Sequence, residues 1–157
     1  VGQLAIHRGD PGLMLGYWNR PDDTAAAFRD PWFLTGDCAR LDADGYVWYE
    51  GRADDQMNAS GYRVAPQEVE AALLEHPAVA DCAVAETREG DIALVTAFVV
   101  LKPDVPVPAT DGLIDHARTR LAAYKVPRRV IFINDLPRTP TGKIKRRDLS
   151  SLVDAAR

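Results

Sequence analysis

The sequence predicts an α+β fold: a small C-terminal domain with a mixed β-sheet flanked by helices plus a two-stranded ribbon, preceded by the β-rich tail of a larger domain. Three observations predict it. The 157 residues are 46% hydrophobic and 27% charged, which is the composition of a soluble globular protein. Short β-rich runs fill residues 1–53, and the polar run GRADDQ then interrupts them. Beyond it, apolar strand-like runs alternate with amphipathic helical patterns, as in a compact α+β domain.

Residues 1–53 contain short strand patterns and one helix pattern. The run GQLAI alternates and is closed by the turn RGDPG. The run RPDDTAAAFR has an acidic start and an Ala-rich body, which predicts a short helix. WFLTGDCARLD and GYVWYEG are β-rich, and DADG between them is a hairpin signal. Because the chain opens without Met and directly with a strand pattern, we expect this part to be the tail end of a longer protein.

From Gln56 onward the predicted order is ββ-α-β-β-α-β-α. QMNASGYRVA predicts a two-stranded ribbon, and Pro66 then starts a helix at the first position, where its missing N–H costs nothing. The strand patterns are VADCAVAET, IALVTAFVVL and RRVIFIN, of which the second is apolar enough to lie centrally in a sheet. A second amphipathic helix starts near Asp111 and a short helix near Arg146. The residues predicted to face the core from the first two helices are Val69, Ala72, Leu73, Ile114, Ala117 and Leu121.

Charge and cysteine content narrow the classes of partner. The formal net charge of −4 argues against nucleic acid as the main partner. Eight of the 19 Lys and Arg nevertheless fall in residues 125–147, which suits a small polyanion such as a nucleotide, with a solvated basic face as the open alternative.

Cys38 and Cys82 lie far apart without metal spacing, so we expect buried, reduced thiols and a cytoplasmic location. No apolar run approaches the ~18 residues of a membrane helix, so no membrane partner is expected.

The segment LPRTPTGKIKRRDL resembles half of a phosphate-binding loop. Gly142 and Lys143 stand in a Pro- and Thr-rich loop, but a P-loop would need Gly at Pro137 and Ser or Thr at Ile144. The glycine cradle is therefore absent. Other parts of the protein must therefore supply the remaining groups that bind an anion in contact with Lys143.

Two further segments carry residues suited to a nucleotide. In LTGD, the carboxylate of Asp37 can accept two O–H bonds from vicinal hydroxyls, although an ordinary turn Asp remains the alternative. In GRADDQMNASGYRV, the guanidinium groups of Arg52 and Arg63 match phosphate or sugar oxygens. Gly61 between them would let another molecule approach the backbone closely. A surface hairpin with two solvated arginines is the alternative there.

Together these segments resemble one family, the adenylate-forming acyl-CoA synthetases (AMP-dependent synthetases/ligases), which share their fold with adenylation domains and luciferases. The matching segments include GYWNRPDDTAAAF, the long run from WFLTGDCARLDADGYVWYEG to EHPAV, and YKVPRRVIFINDLPRTPTGKIKRRDL, in the family's order. The resemblance covers the family's C-terminal portion. It implies that residues 1–53 are the C-terminal end of the large, adenylate-binding N-terminal domain, and residues 54–157 the small mobile C-terminal domain.

The resemblance implies roles for individual residues. Asp37 falls on the Asp that binds the ribose hydroxyls of the adenylate, and Arg52 on an Arg that also reaches the ribose. Arg63 falls on an Arg associated with nucleotide phosphate, and Lys143 on the catalytic Lys of adenylation. Asp54 falls on the hinge about which the small domain pivots between the two half-reactions; the polar run RADD suits a hinge.

For coenzyme A, the resemblance implies two positions. Gly61 lies in the ribbon that lines the pantetheine tunnel, and Arg118 aligns with a position that contacts the CoA nucleotide. Asn58 stands where many relatives carry Lys, so MNASGYR is closest to the acetyl-, propionyl- and medium-chain acyl-CoA synthetase branch. A small or medium aliphatic acid is the expected substrate.

The implied activity is that of an acid–thiol ligase of fatty acid metabolism. ATP activates a carboxylic acid to acyl-AMP, and the acyl group passes to CoA; ATP and Mg would be bound mainly by the N-terminal domain, so this chain alone is expected to be inactive. Two alternatives stay open. One is an adenylation domain that loads a carrier protein, although the ending SSLVDAAR shows no carrier and favours CoA. The other is a non-catalytic module that binds a nucleotide or a protein partner.

Overall fold

An antiparallel sheet built around one long strand forms the first unit, Val1–Asp54. In this computed structural model, which describes residues 1–59 and 61–155, strand β3 (Trp32–Leu41) pairs with β1 (Gly2–His7), β2 (Phe28–Arg29) and β4 (Val47–Arg52). Helix α1 (Pro21–Ala27) precedes β2. The predicted β3–β4 hairpin is present, and Asp42 stabilises its turn by accepting the N–H groups of Asp44 (3.1 Å) and Tyr46 (2.9 Å).

One element of the first unit differs from prediction. The sequence predicts helix through Arg29, but α1 ends at Ala27 and the next two residues form β2. Phe28 and Arg29 pair with Phe33 and Trp32, and the rings of Phe28 and Phe33 lie 5.3 Å apart. Aromatic residues favour strands, and packing across the sheet decides the conformation here.

The second unit, Asp55–Arg157, contains the elements in the predicted order. A ribbon of β5 (Met57–Ala59) and β6 (Tyr62–Val64) leads into α2 (Pro66–Leu74), with Pro66 at the first helical turn as predicted. The main sheet has β8 (Ile92–Leu101) between antiparallel β7 (Val79–Glu89) and parallel β9 (Arg129–Phe132), so the mixed sheet and the central strand are confirmed. The remaining elements are α3 (Thr110–Arg118), a 3₁₀ turn (Ala123–Lys125) and α4 (Arg146–Ala155).

The main sheet of the second unit is covered on both faces. On one face, buried residues from the ribbon, α2 and α3 pack together. On the other face, α4 and the segment before it cover the sheet. The first cluster includes Met57, Val64, Val69, Leu73, Cys82, Val84, Leu113 and Ala117; the second includes Ala83, Ala85, Phe98, Leu136, Leu149 and Val153.

Most predicted core positions are buried. Val69, Ala72, Leu73 and Ala117 are buried, and Ile114 is partly buried. Leu121 differs in placement, since α3 ends at Arg118 and Leu121 packs against the core from the following turn.

Both cysteines are free and buried, as the sequence predicts. Burial raises the pKa of the Cys82 thiol to about 12, and the nearby Glu70 and Asp81 carboxylates add to this rise. Among residues 1–59 and 61–155, no helix has both the length and the apolar character needed to cross a membrane.

Candidate functional site

Three of the residues predicted to serve the nucleotide and the hinge lie together in the first unit. Asp37 on β3 is the cross-strand partner of Arg52 on β4, and Arg52 Nη1 lies 3.5 Å from Asp37 Oδ1. Arg52 Nε lies 2.9 Å from Asp54 Oδ1. The guanidinium group therefore lies between two carboxylates. The side chains of Asp37, Arg52 and Asp54 are 31%, 46% and 49% exposed, so a ligand can reach all three.

Gly36 makes room for this arrangement. Its φ is +80°, which favours glycine, and a Cβ atom at this position would lie 2.6 Å from Arg52 Nη2. The backbone at Gly36 is also held in place, because Ala53 N–H donates to the Gly36 carbonyl at 2.8 Å. The sequence does not show this contact, because it depends on the pairing of β3 with β4.

The ribbon of the second unit presents Gly61 and Arg63. Gly61 has φ +87°, and in the described part of the chain, apart from its sequence neighbours, no atom lies within 4 Å of the position of a Cβ atom there. Arg63 on β6 pairs with Asn58 on β5, and both side chains are exposed. Asn58 N–H donates to Glu86 Oε2 at 2.9 Å, which attaches the ribbon to β7. The exposed surface of the ribbon is thus open to a partner while its base is fixed.

Lys143 lies on a tight loop that precedes α4. Thr139 N–H donates to the Lys143 carbonyl and Gly142 N–H to the Thr139 carbonyl, both at 2.8 Å. Gly142 has φ +85°, so the turn needs a left-handed residue there. The side chain of Lys143 is exposed and has no hydrogen-bond or ion-pair partner among residues 1–59 and 61–153, whose side chains the structure describes.

Arg118 lies at the end of α3, beside a cavity of about 300 Å³. It forms an ion pair with Asp115 one turn earlier. The cavity combines apolar walls with the guanidinium groups of Arg118 and Arg128, a combination that suits an anionic ligand with an apolar part. Its other lining residues are Ile114, Ala123, Val126 and Pro127.

A buried ion pair that the sequence analysis missed joins α4 to α2. Arg146 Nη2 lies 2.7 and 2.8 Å from the two carboxylate oxygens of Glu70, and Val84 N–H donates to Glu70 Oε1 at 2.8 Å. Glu70 is 8% exposed. Burial raises the pKa of its carboxyl, whereas the Arg146 guanidinium and the Val84 N–H oppose this rise. Glu70 follows Pro66 and Val69 and precedes Leu73 at the spacing of one apolar helix face, and a carboxylate on such a face is the signal that predicts a buried partner.

The predicted site residues of the second unit lie on three separate elements: the ribbon, the end of α3 and the Lys143 loop. The ribbon carries Gly61 and Arg63 and contributes Met57 and Val64 to one core cluster. The Lys143 loop leads into α4, which packs on the opposite face of the sheet.

In the described part of the chain, no group of three or more His, Cys, Asp or Glu side chains could hold a metal ion.

Residues 68–143 match the model of a known family, the AMP-binding enzyme C-terminal domain. The mouse acyl-coenzyme A synthetase ACSM1, named as mitochondrial, is 45% identical over 143 residues, which are 88% of this chain and 25% of the mouse protein. The chain thus spans about a quarter of the length of the curated relatives it matches.

Solved structures show the same relationship. The anthranilate CoA ligase AuaEII, in complex with anthranoyl-AMP, is 36% identical with a TM-score of 0.83, covering 100% of this chain and 32% of that one. The o-succinylbenzoate CoA synthetase MenE from Bacillus subtilis, in complex with its acyl-adenylate intermediate, is 33% identical with a TM-score of 0.85, covering 94% and 30%. The chain therefore belongs to the adenylate-forming acyl-CoA synthetase family, and its residues 68–143 are that family's AMP-binding C-terminal domain.

Proposed function

We propose that this chain is the C-terminal portion of an AMP-forming acyl-CoA synthetase, an acid–thiol ligase. The enzyme would activate a small or medium aliphatic acid with ATP to acyl-AMP and then transfer the acyl group to CoA, as a step of fatty acid metabolism. The proposal rests on the positions of the ribbon and of the Lys143 loop within the second unit. The ribbon packs with the core on one face of the main sheet, and Leu136 and Leu149, which bracket the Lys143 loop, pack on the other.

This arrangement suits two half-reactions at one site. A rotation of the whole unit would exchange the Lys143 loop for the ribbon without rearranging either. Asp54, the last residue of the first unit, would be the hinge, because a few exposed residues can absorb a large change in φ and ψ.

In the first half-reaction, Lys143 would meet the reacting anions. The substrate carboxylate and the α-phosphate of ATP repel each other, and a lysine between them would offset the charge that grows in the transition state. Lysine is a compact charge on a flexible stem. The side chain of Lys143 is exposed and unpaired in the described residues, so it is free to make this contact.

Three charged side chains would contact the nucleotide. Asp37 is suited to accept the two ribose hydroxyls, and Arg52 beside it would orient the carboxylate and reach the same sugar. Arg63, exposed on the ribbon, would contact phosphate. The large N-terminal domain would supply the phosphate loop, the acyl pocket and most of the contacts with ATP and Mg, so this chain by itself would not form acyl-AMP.

In the second half-reaction the ribbon would replace the lysine loop. The open space around Gly61 leaves room for the pantetheine arm, and the cavity beside Arg118 suits the phosphorylated nucleotide of CoA. The CoA thiol would attack the acyl carbonyl and AMP would leave.

We further propose a cytoplasmic location. The free, buried thiols of Cys38 and Cys82 support a reducing compartment. The mouse relative is named mitochondrial, and cell fractionation distinguishes the two locations.

The test separates the two half-reactions in the full-length protein. We expect Lys143→Ala to lower acid-dependent ATP–pyrophosphate exchange by about a hundredfold or more, since it removes the charge that bridges the anions. Thioester formation from supplied acyl-AMP should stay near the wild-type rate. Lys102→Ala, which removes another exposed lysine of the same unit, is the matched control and should change neither. Equal losses in both steps for Lys143→Ala, or no acid-dependent exchange by the wild-type protein, would contradict the proposal.

A further inference from the structure

The Lys143 loop is a closed hairpin. Arg138 and Ile144 form an antiparallel bridge, and Lys145 N–H donates to the Pro137 carbonyl at 2.8 Å. The backbone between them is therefore held at its base. These bonds fix the ends of the loop, but they leave the direction of the Lys143 side chain to the residues at the tip.

The peptide unit between Gly142 and Lys143 is held from both sides. Its carbonyl oxygen accepts from Arg138 Nη1 at 2.7 Å, and its N–H donates to Thr139 Oγ1 at 3.1 Å. A peptide unit is planar, so these two bonds set its orientation. The orientation of this plane in turn sets the direction in which the Lys143 side chain leaves the backbone.

Arg138 also connects this peptide to the sheet. Its Nη2 donates to Asp81 Oδ2 at 2.5 Å, and the other oxygen of Asp81 accepts the N–H of Cys82 at 2.9 Å. Asp81 lies on β7, so its carboxylate has a fixed position in the domain. The planar guanidinium fork reaches both acceptors at once, which a lysine ammonium on its flexible stem would not hold in one geometry.

We propose that Arg138 and Asp81 are positioning residues that aim Lys143 during adenylation. The proposal deepens the function proposed above and rests on the role given there to Lys143. Arg138 would act through the Gly142 carbonyl rather than by touching the phosphates. Asp81 would act through Arg138.

The test combines a dynamic and a kinetic measurement on the full-length protein. Hydrogen exchange is measured for residues 139–145, with β8 as an internal reference for global stability. Both half-reactions are measured as described above. The variants are Arg138→Met, Arg138→Lys, Asp81→Ala and the double variant Arg138→Met/Asp81→Ala. Arg88→Met is the matched control, because Arg88 is an exposed arginine on the same strand as Asp81.

We expect Arg138→Met to speed exchange in residues 139–145 and to slow adenylation, each by roughly tenfold, because it removes charge-assisted hydrogen bonds. Exchange in β8 and thioester formation from acyl-AMP should not change. Arg138→Lys should resemble Arg138→Met, since it keeps the charge but loses the fork. Asp81→Ala should shift both measurements in the same direction, and the double variant should be no worse than Arg138→Met alone, because both residues act as one unit.

Two results would overturn the proposal. Unchanged exchange in Arg138→Met would show that this arginine does not hold the loop. Restored adenylation in Arg138→Lys, with Asp81→Ala at the wild-type rate, would show that Arg138 acts directly by its charge. If the wild-type protein lacks adenylation activity, the proposed function fails, but the exchange measurements still decide whether the pair positions the loop.

Discussion

Two arginines of this chain hold carboxylates in different surroundings. Arg52 of the first unit lies between Asp37 and Asp54, and its side chain is 46% exposed. Arg146 of the second unit holds Glu70 with two bonds, and its side chain is 14% exposed. An exposed ion pair contributes little to stability and can exchange its partner for a ligand, whereas a buried pair cannot be broken without leaving a buried charge. The difference separates an arginine that a ligand can reach from one that only joins two helices inside the fold.

The largest effect should come from breaking the buried pair. We expect Arg146→Met to lower the free energy of unfolding by about 3–5 kcal/mol, because it leaves the Glu70 carboxylate buried and unpaired. Chemical denaturation of the protein measures this loss. Arg147→Met, at the next and exposed position of α4, is the control and should change stability little. A loss below about 1 kcal/mol for Arg146→Met would remove the distinction between the two arginines.

The next effect concerns the carboxylate that shares Arg52. Asp54→Pro fixes φ at the proposed hinge, so we expect adenylate formation near the wild-type rate and acyl-CoA formation slower by about a hundredfold, roughly 3 kcal/mol of lost access to the second transition state. Single-turnover measurements of each half-reaction on the full-length protein test this. Asp54→Ala is the control, since it removes the same carboxylate from Arg52 without fixing the backbone. Normal thioester formation in Asp54→Pro would exclude a hinge at this residue.

A smaller effect should follow from removing the exposed arginine. We expect Arg52→Met to change the free energy of unfolding by less than about 1 kcal/mol. Affinity for AMP should fall by about tenfold, since Asp37 loses the group that orients it. Calorimetric titration and denaturation measure the two quantities. Arg40→Met is the control: Arg40 lies on the same sheet, is also 46% exposed and pairs with Glu50 at 3.0 Å. Equal changes in AMP affinity for both variants would mean that Arg52 has no specific role.

The smallest effect is a pH dependence from Glu70. Because the folded-state pKa of Glu70 lies above its ordinary value of 4.5, the folded state binds more protons than the unfolded state as pH rises from there. The contribution of Glu70 to stability should therefore fall with rising pH, between its unfolded and its folded pKa. We expect the free energy of unfolding, measured from pH 4 to pH 7, to include this decrease in the wild type and to lack it in Glu70→Gln. Parallel curves for the two proteins would contradict it.

The sequence predicted local structure better than side-chain partners. The order of elements in the second unit follows from hydrophobic periodicity and from Pro66, which acts within its own turn. Asp37 and Arg52 were each singled out, but their contact depends on the register of β3 and β4. Glu70 and Arg146 are 76 residues apart, and no local pattern joins them. Strand β2 was missed because the helix pattern runs on through Arg29, and only pairing with β3 shows that the helix ends at Ala27.

The state of the two thiols has a practical consequence for labelling. Cys38 and Cys82 are both buried, and at a pKa of about 12 the Cys82 thiol yields almost no thiolate at neutral pH. Maleimide dyes react with thiolates, so a single cysteine placed at exposed Lys102 would be the preferred attachment point on this chain. A fluorophore there, paired with one upstream in the full-length protein, would report the proposed rotation of the domain as a change in energy transfer while Cys38 and Cys82 stay in place.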